Sequence, residues 1–97
     1  MSISVVMVTY ASYPLTRRLL EPLASSIGKG LEEIILVDSA SPDQTGEKLK
    51  KDFPAINYLP MPENRGYGAA VNAGATQARG KWLLIMKIGR ASCRERV

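Results

Sequence analysis

Three short stretches of the chain carry residue types that could hold a phosphate-bearing or heterocyclic ligand, and each follows an apolar run of strand length. Asp38 comes directly after Ile34-Ile35-Leu36-Val37. A carboxylate at that place stands at the mouth of a sheet, where it can accept a hydrogen bond from a base or a ribose. The competing reading is an aspartate that caps a turn before Pro42. Thr9-Tyr10-Ala11-Ser12 leaves the first apolar run without a glycine. A dinucleotide-binding G-x-G-x-x-G loop needs glycines there so that the backbone can approach a pyrophosphate, which argues against an ordinary NAD-binding domain. Gly66-Tyr67-Gly68 opens a G-x-G, but Val71 occupies the third glycine position and the motif follows the third strand instead of the first. Asn64 and Arg65 precede it, and Asn72 follows near the expected helix start. Alone, Arg65 reads as a solvated charge, and Asn72 stands evenly between a ligand contact and a local backbone bond.

The elements that must position these residues alternate between strand and helix. Residues 3–9 form a β-branched apolar run suited to a buried parallel strand. Leu15, Leu19, Leu20, Leu23 and Ile27 recur at helical spacing, which predicts a helix over 14–27, kinked or broken at Pro22. A second strand runs over 33–37 and closes on Asp38, followed by a turn at Ser41-Pro42-Asp43 and a helix over 44–53. A third strand over 56–59, an alanine-rich helix over 66–79 and a fourth strand over 81–86 complete the order βαβαβαβ. The fold class is therefore α/β, with a mostly parallel sheet built from right-handed crossovers and helices on both faces. Ligands bind such sheets at the carboxyl ends of the strands, which points to the loops beginning at Thr9, Asp38 and Met61. Tyr13, Tyr67 and Trp82 read as packing residues.

A chain of 97 residues holds one small core, and its 45% apolar and 23% charged content is that of a globular domain. No apolar run is long enough to cross a bilayer, and the start lacks the basic and apolar stretches of a secretory signal, so a cytoplasmic location is expected. Of the net charge of +4, +3 lies in residues 87–97, through Lys87, Arg90, Arg94 and Arg96 against Glu95. The nearly neutral body gives no nucleic-acid footprint. Cys93 is the one cysteine and has no partner within the chain. Residues 88–97 have neither the helical period nor strand alternation. They resemble, residue for residue, the in-frame translation of a common sequencing adapter. The chain is accordingly divided into a body, 1–86, and a non-native tail, 87–97, expected to be disordered.

Taken together, Val8-Thr9-Tyr10, the stretch Ile35-Leu36-Val37-Asp38-Ser39-Ala40-Ser41-Pro42-Asp43-Gln44-Thr45, and Glu63-Asn64-Arg65-Gly66-Tyr67-Gly68-Ala69-Ala70-Val71-Asn72-Ala73-Gly74 resemble three segments of the inverting family 2 glycosyltransferases. These are "VTYN", "VVD-N-A-S-x-D-x-T" and "N-x-G-F/Y-x-x-x-x-N-x-G", in the family's order and spacing, with rhamnosyltransferase-like members the nearest subgroup. The resemblance implies a partial, truncated GT-A (Rossmann-like) domain. By it, Thr9 and Tyr10 line the nucleoside pocket and Asp38 accepts a hydrogen bond from the imide nitrogen of uracil or thymine. Asn64, Arg65 and Gly66 close over the nucleoside, with Ser39 and Asn72 completing the nucleotide-sugar site, and the start of the third helix offers N–H groups to the donor. The family has asparagine where this chain has Ala11 and Ser39; serine keeps a hydroxyl, alanine offers nothing.

What the resemblance implies for the whole parent is transfer of a sugar, with inversion, from a UDP- or dTDP-sugar to a glycan, lipid-linked or cell-wall acceptor. Membrane association is left open, with the inner face of the membrane a possible location for the parent. A divalent metal, Mg or Mn, would be held by an acidic motif whose aspartate belongs near Gly89, where the chain reads Lys87-Ile88-Gly89. With that ligand and the catalytic base missing, no catalytic or metal residue is assigned, no cofactor is expected in the fragment, and the fragment is expected to be inactive. Truncation there is also expected to leave the apolar edge of the fourth strand exposed. The alternative is a non-catalytic nucleotide-binding or protein-interaction α/β module. A nucleotidyltransferase would need a glycine- and arginine-rich loop after the first strand, which the chain lacks.

Overall fold

The structure, a computed structural model, describes residues 2–87 and the backbone of 90–95. Its elements are β1 (Ile3–Thr9), α1 (Tyr13–Ala24), β2 (Glu33–Asp38), α2 (Thr45–Asp52), β3 (Asn57–Pro60), α3 (Tyr67–Gln77), β4 (Trp82–Lys87) and β5 (Arg90–Glu95). The sheet order is β3-β2-β1-β4-β5. The first four strands are parallel, as expected. β1 lies at the centre, where both of its edges are paired.

Alternate residues of each strand go to opposite faces, and the two faces bury separate cores. Val5, Met7, Ile34 and Leu36 pack with Leu20 of α1 and Leu49 of α2. Val6, Val8, Ile35, Val37, Leu83 and Ile85 pack with Ala70 of α3. The small residues of α3 let it lie close against the sheet. A Cβ on Gly74 would stand 2.5 Å from Val6 Cγ1 and 3.0 Å from Val37 Cγ2.

At the amino ends of the strands a single carboxylate joins four segments. Glu33, only 4% exposed, accepts hydrogen bonds from Ser4 Oγ (2.7 Å), the Arg79 N–H (2.6 Å) and Asn57 Nδ2 (3.1 Å), and Arg79 Nε lies 3.4 Å from its other oxygen. Ser4 Oγ in turn accepts the Gly80 N–H at 2.8 Å. β1, β2, β3 and the turn into β4 are thus held at one point.

Two expectations are corrected. α1 ends at Ala24, not Ile27. Pro22 sits in its last turn, its carbonyl accepting from Ser25 Oγ at 2.8 Å, and Ser26 N–H turns back to Leu23 at 3.0 Å. The helix runs through Pro22 and stops two residues later, where the turns at Ser25 and Ser26 close it. After β4, where the tail was expected to be disordered and the strand edge bare, the backbone of β5 runs antiparallel to β4, from Trp82↔Glu95 to Lys87↔Arg90. An edge strand presents unpaired N–H and C=O groups that a following segment can satisfy whatever its side chains, a signal that side-chain periodicity does not carry. Among the described residues no helix is long and apolar enough to cross a membrane.

Candidate nucleotide-binding cleft

At the carboxyl ends of the strands, the loops after β1 and β2, the entry to α3 and the end of β4 enclose a cavity of about 400 Å³. Thr9, Tyr10, Ser39, Asn64 and Gly66, all expected in the site, line it. Val8, Ser12, Tyr67 and Lys87 line it as well.

The loop after β1 is fixed from beneath. Thr9 is buried, and its hydroxyl shares hydrogen bonds with Thr16 Oγ1 (2.9 Å) and Ser12 Oγ (3.2 Å), which are 3.3 Å from each other. The Ser12 hydroxyl is spent in this cluster and makes no cap to α1. The Thr9 carbonyl accepts the Ser39 N–H at 3.0 Å, joining the first loop to the second. Between them the chain makes a left-handed turn at Ala11, φ 47°, matched by Ala40, φ 63°. Such a conformation costs an alanine roughly 1–2 kcal/mol, and asparagine visits it more readily. The family's asparagine at the Ala11 position therefore has a conformational use besides its amide. Tyr10, just before, is left 49% exposed at the cavity.

Asp38 does not line the cavity. It is 5% exposed, and its carboxylate accepts a hydrogen bond from the Ser41 hydroxyl, whose oxygen accepts the Ala11 N–H at 2.9 Å. The first turn of α2 closes on the same group. A Cβ on Gly46 would lie 2.9 Å from Asp38 Oδ2 and 2.6 Å from Tyr58 Cε1. Burial raises the Tyr58 phenol above its usual pKa, and the nearby Asp38 and Glu47 charges raise it further.

In the third loop, Asn64 Oδ1 accepts the Gly66 N–H at 2.9 Å, and Gly66 takes φ 93°, open to glycine but strained for other residues. Arg65 is exposed and paired with Glu63 at 2.7 Å. Asn72 is exposed on α3, its carbonyl accepting Thr76 Oγ1 at 2.8 Å. Neither lines the cavity.

Tyr67, read from the sequence as packing, stands on the cavity wall, 37% exposed. It is the first residue of α3, ahead of the positions that face the sheet. Lys87 Nζ lies 4.9 Å from the centre of its ring, a cation–π distance. Nothing in the sequence announces Lys87, which directly follows the apolar run 82–86 as the first of the basic residues at the end of the chain. Ser12, Thr9 and Thr16 could have been linked by their spacing of three and four.

Among the described lining residues Lys87 is the one with a formal charge. Among the described residues no three His, Cys, Asp or Glu side chains gather to hold a metal ion. These residues do not fit a divalent cation, and the position near Gly89 lies outside the described residues.

The model of the Glycosyl transferase family 2 matches residues 4–86. The N-acetylglucosaminyl-diphospho-decaprenol L-rhamnosyltransferase of Mycobacterium tuberculosis is 34% identical over 73 residues, covering 75% of this chain and 24% of its own. A mannosyltransferase from Pyrobaculum calidifontis in complex with GDP-Man and Mn2+ superposes with a TM-score of 0.76 at 27% identity, over 89% of this chain and 27% of that one. S. aureus TarS in complex with UDP-GlcNAc does so with a TM-score of 0.76 at 29% identity, over 90% of this chain and 26% of that one. The chain spans 18%, 21% and 24% of the length of three curated relatives it matches.

Proposed function

The chain belongs to glycosyl transferase family 2, and on that premise we propose that it forms the nucleotide-binding part of a glycosyltransferase that takes a sugar from a nucleoside-diphosphate donor to a glycan, lipid-linked or cell-wall acceptor, with inversion. The observation that carries the reading is the convergence of Thr9, Tyr10, Ser39, Asn64 and Gly66 on one cavity at the carboxyl ends of β1 and β2. These residues come from three separate loops, and a parallel sheet gathers its ligand there.

Each group has a task in this reading. The exposed ring of Tyr10 offers a face to a base. The Ser39 hydroxyl gives and accepts hydrogen bonds where the family's asparagine would. Asn64 holds Gly66 so that the chain opens into α3 beside the donor, and Lys87 brings a positive charge to the diphosphate. Asp38 would reach an imide N–H only from behind the loop, through a carboxylate that the Ser41 hydroxyl already holds. Arg65 and Asn72 would join the site only on closure of the third loop over a ligand.

We assign these residues binding without transfer. A divalent ion, of the kind named with the Pyrobaculum enzyme, would neutralise the leaving diphosphate, but its ligands would come from outside the described residues. Calorimetric titration of the chain with UDP, dTDP and GDP tests the reading. Saturable heat with UDP or dTDP, reduced in Tyr10→Ala, is expected. No heat with any of the three would overturn it. Equal heats from Asp38→Ala and the unaltered chain would remove Asp38 from the site.

A further inference from the structure

The hydroxyl of Ser41 lies between two groups that belong to different loops. It donates to the Asp38 carboxylate at the end of β2 and accepts the Ala11 N–H, 2.9 Å away, from the loop after β1. Among the described contacts the Ala11 N–H has no other acceptor. Ala11 holds a left-handed backbone, φ 47°, which an alanine does not keep by preference. Its neighbour Tyr10 is, with Tyr67, one of two large exposed side chains that line the cavity, and the more exposed of them.

We propose that Ser41 is a positioning residue for the nucleotide cleft: its hydroxyl, oriented by Asp38, holds Ala11 in the left-handed turn that presents Tyr10 to the ligand. The proposal rests on the nucleotide-binding reading of the cavity and adds to it a residue that does not line the cavity.

The chemistry is directional. A hydroxyl has one proton and two lone pairs. A carboxylate has no proton to give, so the single Ser41 proton goes to Asp38 and the oxygen is left facing Ala11. The bond to a charged acceptor is the stronger of the two and polarises the hydroxyl, strengthening its acceptance of the N–H. Asp38 thereby acts on the first loop without lining the cavity, which accounts for a buried carboxylate so near the site. The backbone bond from Ser39 N–H to the Thr9 carbonyl, 3.0 Å, fixes the base of the loop; the Ser41 bond fixes its tip. Without the latter, Ala11 has no reason to stay left-handed, and Tyr10 leaves the wall with it.

This arrangement makes a prediction that a merely structural serine does not. Ser41→Ala is expected to weaken UDP binding about tenfold, the loss of roughly one hydrogen bond's worth of loop bias. Ser41→Thr, which keeps the hydroxyl, is expected to stay within about twofold of the unaltered chain. The decisive variant is the double change Ser41→Ala with Ala11→Gly. Glycine takes the left-handed turn without strain, so the loop no longer depends on Ser41, and most of the lost affinity is expected to return. If Ser41 instead served only the stability of α2, a glycine thirty positions away would restore nothing.

The measurement is calorimetric titration of the intact chain and the three variants with UDP, with far-ultraviolet circular dichroism confirming that each is folded. Saturable binding that falls in Ser41→Ala and returns in the double variant supports the proposal. Binding in the unaltered chain that is unchanged in Ser41→Ala, or that falls there and stays down in the double variant, overturns it while leaving the cleft intact. Failure of the unaltered chain to bind any nucleoside diphosphate overturns the cleft itself.

Discussion

Replacing Glu33 by glutamine removes a charge from the amino end of the sheet and leaves its shape. The carboxylate takes four donors: Ser4 Oγ and the Arg79 N–H on one oxygen, Asn57 Nδ2 and Arg79 Nε on the other. A glutamine must turn an NH2 toward one pair. Facing Ser4 and the Arg79 N–H, it would oppose a backbone donor that cannot rotate. Facing Asn57 and Arg79 costs less, since Asn57 can reverse its amide and Arg79 is 67% exposed. The remaining bonds weaken because the acceptor is no longer charged. The loss of one charge-assisted bond at a buried site sets the cost at about 2 kcal/mol. Glu33→Ala, which strands the Arg79 N–H as well, is expected to cost about 3–5 kcal/mol, a large part of a small domain's stability. Urea unfolding followed by circular dichroism reads both, as a midpoint lowered by about 1–2 M for glutamine with the slope unchanged. Since Glu33 and the cleft lie at opposite ends of β2, the folded glutamine variant is expected to keep its UDP affinity. A glutamine variant within about 0.5 kcal/mol of the unaltered chain would refute the account, because a neutral amide would then satisfy those donors equally well.

Gly74→Ala adds helix propensity worth about 1 kcal/mol, but its methyl meets Val6 and Val37 at an overpacking cost of about 1–3 kcal/mol. A net fall in thermal midpoint is expected, where an open helix position would give a rise. Lys87→Gln is expected to weaken UDP binding and to flatten its dependence on salt, as titrations at two ionic strengths would read. The hydroxyl and then the N–H of Thr45, both donating to Asp43, hold that carboxyl below the ordinary aspartate pKa. The unfolded chain then takes up a proton first as acid is added, so this contribution to stability is whole above about pH 4 and lost as the pH falls through the folded value. In Asp43→Asn that part of the acid slope in urea unfolding is expected to vanish.

The strands were readable because a central parallel strand is apolar on both faces. Ile3–Thr9 and Glu33–Asp38 emerge with the expected ends. Helix ends were less legible, since Ala24 stops α1 through local turns at Ser25 and Ser26 that leave no pattern. α3 stops at Gln77, and Ala78 already has an extended backbone. In the cleft, residues whose backbones form the loops, such as Thr9, Ser39 and Gly66, could be placed from motif order alone. Side-chain direction could not. Asp38 alternates toward the α1 and α2 face, and only the fold shows its hydroxyl partner. Ser41 was visible as part of a motif but not as a link, because its acceptance of the Ala11 N–H spans 30 positions. Lys87 is continuous in sequence with the basic residues that follow it, and only the fold turns it toward the Tyr67 ring.

The placement of β1 at the centre bears on how the chain comes off the ribosome. One edge of β1 is met by β2, about thirty positions on; the other waits for β4, where Ile3 meets Trp82, 79 positions later. At elongation rates of about 5–20 residues per second, that edge stays bare for about 4–16 s after β1 is made. Closing so long a loop also places the contact late and makes folding slow. The central strand, paired on both edges in the finished fold, is therefore the one longest without its final neighbour, and the newly made chain should be at its most chaperone-dependent in the interval before β4 appears.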